Sequence, residues 1–229
     1  MNIMNIIYTV LGAALSVVSL LLCVLPHEIA HGYVAYLMGD GTAKYMGRLS
    51  LNPLKHINPT YASFILIGMF VSKLLSNVPF MGTIASIAMW LGFVLLLKPV
   101  PINAGNFADP KKGMAITALA GPLTNFIMAF LACLIYRFCY SIPVLGDFLT
   151  TLAVYNVSLG VFNLIPVPPL DGSRVLFAFL PQHYYFKIME YERYIMIIFL
   201  VLVWSGAFDM LITRGTYNVL KFFMSIIGG

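Results

Sequence analysis

At 229 residues, 61% of them hydrophobic and only 9% charged, the chain is far from a soluble domain, in which roughly a quarter of residues carry charge. The net charge of +5 comes from basic residues scattered among short loops, which excludes a nucleic-acid partner and reads as a topology signal in a lipid bilayer. Three Cys, at 23, 133 and 139, lie in or beside apolar runs without CxxC spacing, so neither a disulfide framework nor a thiolate metal site is indicated.

Apolar runs long enough to cross a bilayer occur at 5–36, 61–76, 79–97, 113–136, 146–166 and 188–206, with a weaker one at 215–227. The expected fold class is an all-α polytopic membrane protein of about six transmembrane helices, a single membrane-embedded domain over 1–229. The first run has no Lys or Arg ahead of it, unlike a cleavable signal peptide, and belongs to the mature protein. It ends in Pro26-His27-Glu28-Ile29-Ala30-His31-Gly32. Four-residue spacing on a helix brings two imidazoles onto one face, one turn apart, which suits a single zinc ion. Glu28, beside the first His, can serve as a base toward water without being a ligand. Three ionisable groups so close together are costly on an apolar helix, about 2 to 3 kcal/mol for a carboxylate, and a metal would offset that cost where packing would not.

Lys44, Arg48 and Lys55 follow, and basic residues in short loops mark the cytoplasmic side, so the first helix runs inward. Residues 46–52 alternate, with Arg48, Ser50 and Asn52 on one face and Leu49 and Leu51 on the other. This predicts a small re-entrant β element between the first two helices. The runs between 61 and 97 fit two crossings or a re-entrant hairpin, with the same parity. Residues 98–103, KPVPIN, hold Pro99 and Pro101, which exclude a helix interior and suit an extended edge.

Two His leave a catalytic zinc site one protein ligand short. Asp171 is the best third ligand, because it follows the apolar run ending in FNLIPVPPLDG and the crossing count puts it on the same side as His31. Asp40 and Asp109 sit in loops, Asp147 and Asp209 fall on the outer side, and Glu190 and Glu192 read as solvated charges. His56 and His183 are expected to face solvent. Pro166, Pro168 and Pro169 force the chain to unwind, which lipid tolerates only inside protein or along a wet cavity, so Pro166 is a candidate for contact with a substrate; the alternative is a helix stop followed by a turn.

HEIAH at 27–31, GPLTN at 121–125 and NLIPVPPLDG at 163–172 resemble the three signatures of the site-2 protease family of intramembrane metalloproteases, in that family's order. The likeness spans about 25–175 and fits the short form without PDZ or CBS domains. It implies one zinc ion held by His27, His31 and Asp171, with Glu28 as the general base. It also implies that Asn163 binds the substrate carbonyl. Asn125 is either a substrate contact or a helix-packing residue.

The function expected is hydrolysis of peptide bonds in or near transmembrane segments of membrane proteins, in the cell membrane, with the site toward the cytoplasm. A substrate helix must unwind before attack, and an exposed edge at Arg48, Leu49 and Ser50 or at 98–103 could pair with it. A metal transporter or an inactive scaffold for transmembrane segments are the alternatives. A transporter has no need of Glu28, and a scaffold has no need of the complete set.

Overall fold

A computed structural model describes residues 3–56 and 98–228. Helix α1 (Ile3–Leu37) is followed by a short α2 (Thr42–Tyr45) and a 3-10 turn at Pro53–Lys55. After a second 3-10 turn, Ala104–Asn106, come α3 (Pro110–Cys139), α4 (Pro143–Asn163), α5 (Asp171–Ala178), α6 (Gln182–Glu190), α7 (Glu192–Trp204) and α8 (Asp209–Ile227). Among the described residues three helices, α1, α3 and α4, are long and apolar enough to cross a membrane. The pair α7 and α8, bent by 77° at a short break, would supply a fourth if it forms one span.

The run expected at 188–206 is thus interrupted: α7 has 13 residues, about 20 Å at 1.5 Å per residue, and is too short to cross alone. The runs at 61–76 and 79–97 lie outside the described residues.

α3 is the central helix, packed against α1, α4 and α5, while α8 lies along α4 and α3. It starts sharply because Asp109 accepts from the backbone N–H groups of Lys111 and Lys112 and Pro110 stands where no donor is needed. Its C-terminal half meets α4 and α8 in a core of Ala132, Cys133, Leu149, Leu152 and Ala153, where the small residues bring the helices close. The outward side chains of α1 and α3, among them Val17, Leu22, Ile116, Leu123 and Ile127, are exposed, as expected of surfaces that meet lipid.

Residues 46–52 form turns and bends, not the strand that their alternation predicts. Local partners absorb the backbone instead. Arg48 N–H donates to Ala43 O, the His56 ring takes Ser50 O at 2.8 Å, and the Asn52 side chain caps the Pro53–Lys55 turn. His56, expected in solvent, is therefore buried, whereas His183 is exposed.

Candidate metal centre

On α1, Cys23, His27 and His31 recur every four residues and form one buried stripe. On α3, Thr117, Gly121 and Asn125 form a second stripe of the same spacing, and the two lie face to face. His31 Nδ1 is 2.7 Å from the backbone O of Thr117, and His27 Nδ1 is 2.5 Å from Asn125 Oδ1. A Cβ at Gly121 would run into the rings of both His31 and His27, so only glycine allows this approach. The GPLTN segment thereby acquires its physical meaning. Gly121 makes room for the rings, and Asn125, one turn on, holds one of them.

Asp171 opens α5, delivered by a non-helical stretch at 164–170. Gly172 lets that stretch fold back, because a Cβ there would strike the carbonyl oxygens of Leu164 and Ile165. Ile165 and Leu170 anchor it against Phe199 of α7. The result places Asp171 Oδ2 3.3 Å from His27 Nε2 and 3.2 Å from His31 Nε2, while the two Nε2 atoms are 3.0 Å apart.

These distances test whether a zinc ion suits the residues. Thr117 O can only accept, so His31 carries a proton on Nδ1, which leaves Nε2 as the ring atom that can meet a metal. Asp171 Oδ2 is buried and makes no hydrogen bond. Three potential ligand atoms therefore converge: His27 Nε2, His31 Nε2 and Asp171 Oδ2. A tetrahedral ion with bonds of about 2.0–2.1 Å needs its ligand atoms about 3.3–3.4 Å apart, close to what is found. Among the described residues, His27, His31 and Asp171 are the one group of three His, Cys, Asp or Glu side chains so arranged.

The site opens into a cavity of about 1140 Å³ lined by residues of α1, α3, α4, α5, α7 and α8 and by the 98–102 stretch. Glu28 lines it, and its Oε2 accepts from Val100 N–H at 2.9 Å. Asn163, the last residue of α4, also lines it, with its Nδ2 resting on Leu159 O at 3.1 Å. Arg174, one turn beyond Asp171, sits at the cavity wall and pairs with Glu192 at 2.6 Å.

Other expected substrate contacts lie elsewhere. Asn125 is buried behind His27 rather than in the cavity lining. Arg48 reaches back to Lys55 O, Leu49 packs over Gly32, and Ser50 is engaged by His56, so these three do not line the cavity. Pro166 is exposed outside it, and Pro169 takes the place on the wall. Thr117 was not legible as a site residue, because its contribution is a backbone carbonyl, which any residue could supply.

The sequence pattern of peptidase family M50 matches residues 140–204. A Bacillus subtilis protein named as a zinc metalloprotease is 33% identical over 223 residues, 92% of this chain and 91% of that one. The chain belongs to peptidase family M50. It is an intramembrane metalloprotease of the site-2 type. A second relative, named as a zinc metalloprotease in Methanocaldococcus jannaschii, is 33% identical over 56% of this chain and 37% of its own length. A third, from Mycolicibacterium smegmatis, is 27% identical over 66% of this chain and 51% of its own. No solved structure gives a significant match.

Proposed function

We propose that this M50 protein is a zinc metalloendopeptidase that cuts peptide bonds within or near transmembrane segments of membrane proteins, with its site toward the cytoplasm of the cell membrane. One zinc ion per chain is held by His27, His31 and Asp171. The observation that carries the reading is the convergence of His27 Nε2, His31 Nε2 and Asp171 Oδ2, 3.0 to 3.3 Å from one another, at the wall of a cavity that Glu28 shares.

Zinc bound there supplies Lewis acidity, which brings the pKa of water toward about 7 and polarises a carbonyl. Glu28 takes the proton of the attacking water. Its Oε2 is held by Val100 N–H, which leaves Oε1 to receive that proton and deliver it to the departing amide nitrogen. Asn163 donates its amide to the oxyanion after exchanging Leu159 O for the substrate.

The extended 98–103 segment has few donors to offer an unwound substrate. Pro99 and Pro101 have no N–H, Val100 N–H is on Glu28, and Asn103 N–H is on Asp40 at 2.7 Å. What it presents is carbonyl acceptors, so pairing with substrate is built on substrate N–H groups.

The test compares wild type with Glu28→Gln, purified in detergent or liposomes, for bound zinc and for cleavage of a panel of single-pass membrane proteins. The expected result is one zinc per chain in both and a cleavage rate about 10²–10⁴-fold lower in the variant. Zinc absent from both, or undiminished cleavage by the variant, would overturn the reading.

A further inference from the structure

Behind His27 lies a buried chain of side-chain amides. Asn156 of α4 is 0% exposed and Asn125 of α3 is 1% exposed, so neither can turn to water. Asn156 Nδ2 donates to Leu152 O at 2.8 Å. A backbone carbonyl only accepts, so Asn156 must direct its Oδ1 the other way, where it accepts from Asn125 Nδ2 at 2.9 Å. The second hydrogen of that Nδ2 goes to Cys23 O at 3.1 Å. With both hydrogens committed, Asn125 faces His27 with its Oδ1, and the proton between them belongs to His27 Nδ1.

We propose that Asn156 is a positioning residue for the metal site, acting through Asn125 to hold His27 in the tautomer that turns the Nε2 lone pair toward Asp171 and His31. The inference rests on reading His27 as a metal ligand. Reversing Asn125 would oppose its oxygen to Cys23 O and Asn156 Oδ1, two acceptor contacts in a buried site, and would present an N–H to His27 Nδ1. The ring would then need its proton on Nε2, where it blocks ligation. Two fixed carbonyls, Cys23 O and Leu152 O, thus set the polarity of the relay, and Asn156 carries the second of them to the ring. No sequence motif contains Asn156. It is found only because α4 brings it against Asn125.

The experiment measures zinc affinity by competition with a chelator and the protonation of the His27 ring nitrogens by ¹⁵N NMR on metal-free protein, in full-length chain in detergent. Wild-type His27 should carry its proton on Nδ1. Asn156→Leu should weaken zinc binding about 10–100-fold, as the loss of an outer support does, and should raise the Nε2-protonated population. Asn156→Asp keeps an acceptor for Asn125 and, when protonated, a donor for Leu152 O, and should restore affinity to near wild type. In an Asn125→Leu background, Asn156→Leu should cause no further loss, whereas a packing role would weaken binding equally in both backgrounds.

An unprotonated Nδ1 on His27 in the wild type overturns the proposal without need of any variant, as does unchanged zinc affinity in Asn156→Leu. A wild type that binds no zinc while His27 is protonated on Nδ1 overturns the metal reading and leaves the relay standing.

Discussion

At Gly121 the distance between two helices is set by one missing methyl group. The His27 and His31 rings occupy the space that a side chain on α3 would need. Gly121→Ala should cost about 1–3 kcal/mol as overpacking and should cut the zinc content of purified protein far below that of wild type, because the rings must move for the methyl to fit. Gly146→Ala is the matched control. A Cβ there meets Tyr136 at 3.5 Å, an ordinary contact, and the change should leave zinc untouched and raise Tm slightly through helix propensity. Equal zinc content in the Gly121→Ala and Gly146→Ala proteins would mean that the close approach has no bearing on the site. These residues also show what the sequence could disclose about the centre. The four-residue spacing of His27 and His31 needs only helix geometry to be read, and Glu28 follows from it. Asn125 is visible as a polar residue in an apolar run, but whether it faces substrate or a histidine depends on the rotation of α3 about its axis, which no local pattern encodes.

Among the elements, the end of α1 is joined to residues 103–106 by the Asp40 carboxylate, as Glu28 joins it to Val100. Asp40 is fully buried and accepts from Thr42 N–H at 3.1 Å, Thr42 Oγ1 at 2.5 Å, Asn106 Nδ2 at 2.7 Å and Asn103 N–H at 2.7 Å. Burial pushes its pKa up, but the donors of Thr42, Asn103 and Asn106 outweigh burial and hold the carboxyl below its ordinary value of 3.8. A group depressed in this way adds stability above the unfolded pKa, about 3.9, and loses it as pH falls through the folded value. Asp40→Asn places an amide N–H₂ among these donors and should cost about 1–3 kcal/mol at pH 7. Thermal melts of both proteins should show the gap in Tm narrowing below about pH 4, where the wild-type carboxylate also becomes protonated. A gap that stays constant or widens in acid would contradict the assignment. Asp40 looked like an ordinary loop acid in the sequence, since two of its four donors, Asn103 N–H and the Asn106 amide, lie more than sixty residues away. The strand expected at 46–51 failed for a related reason. Alternation records which faces are polar, but a ladder needs unoccupied donors and acceptors, and here Thr42, Ala43, Lys44 and His56 occupy several of them.

In the whole molecule, the three proposed ligand atoms come from α1 and α5, which both lie against α3. Hydropathy alone indicates that α1, α3 and α4 are spans, and three proline positions indicate a break before Asp171, so the layout is legible in outline. The docking of α5 is not, because it depends on Gly172 meeting the carbonyls of 164 and 165. A metal shared by His27, His31 and Asp171 would therefore tie a chain crossing to a short helix that otherwise rests on packing and on the Arg174–Glu192 pair, and its removal should be felt by the entire domain. Zinc at a hundred times its dissociation constant stabilises the folded state by about 2.7 kcal/mol through mass action. A strong chelator should accordingly lower the Tm of wild type. Asp171→Asn should melt below wild type in zinc, since it gives up a charged ligand. In chelator the order should close, because the ion that Asp171 would help to hold is then gone and either side chain faces the His27 and His31 ring nitrogens at 3.2–3.3 Å. If the Tm difference between the two proteins is the same with and without zinc, Asp171 is a structural residue and not a ligand. If the difference exists only in zinc, the metal links α1 to α5, and the third ligand is identified by thermodynamics independently of any cleavage assay.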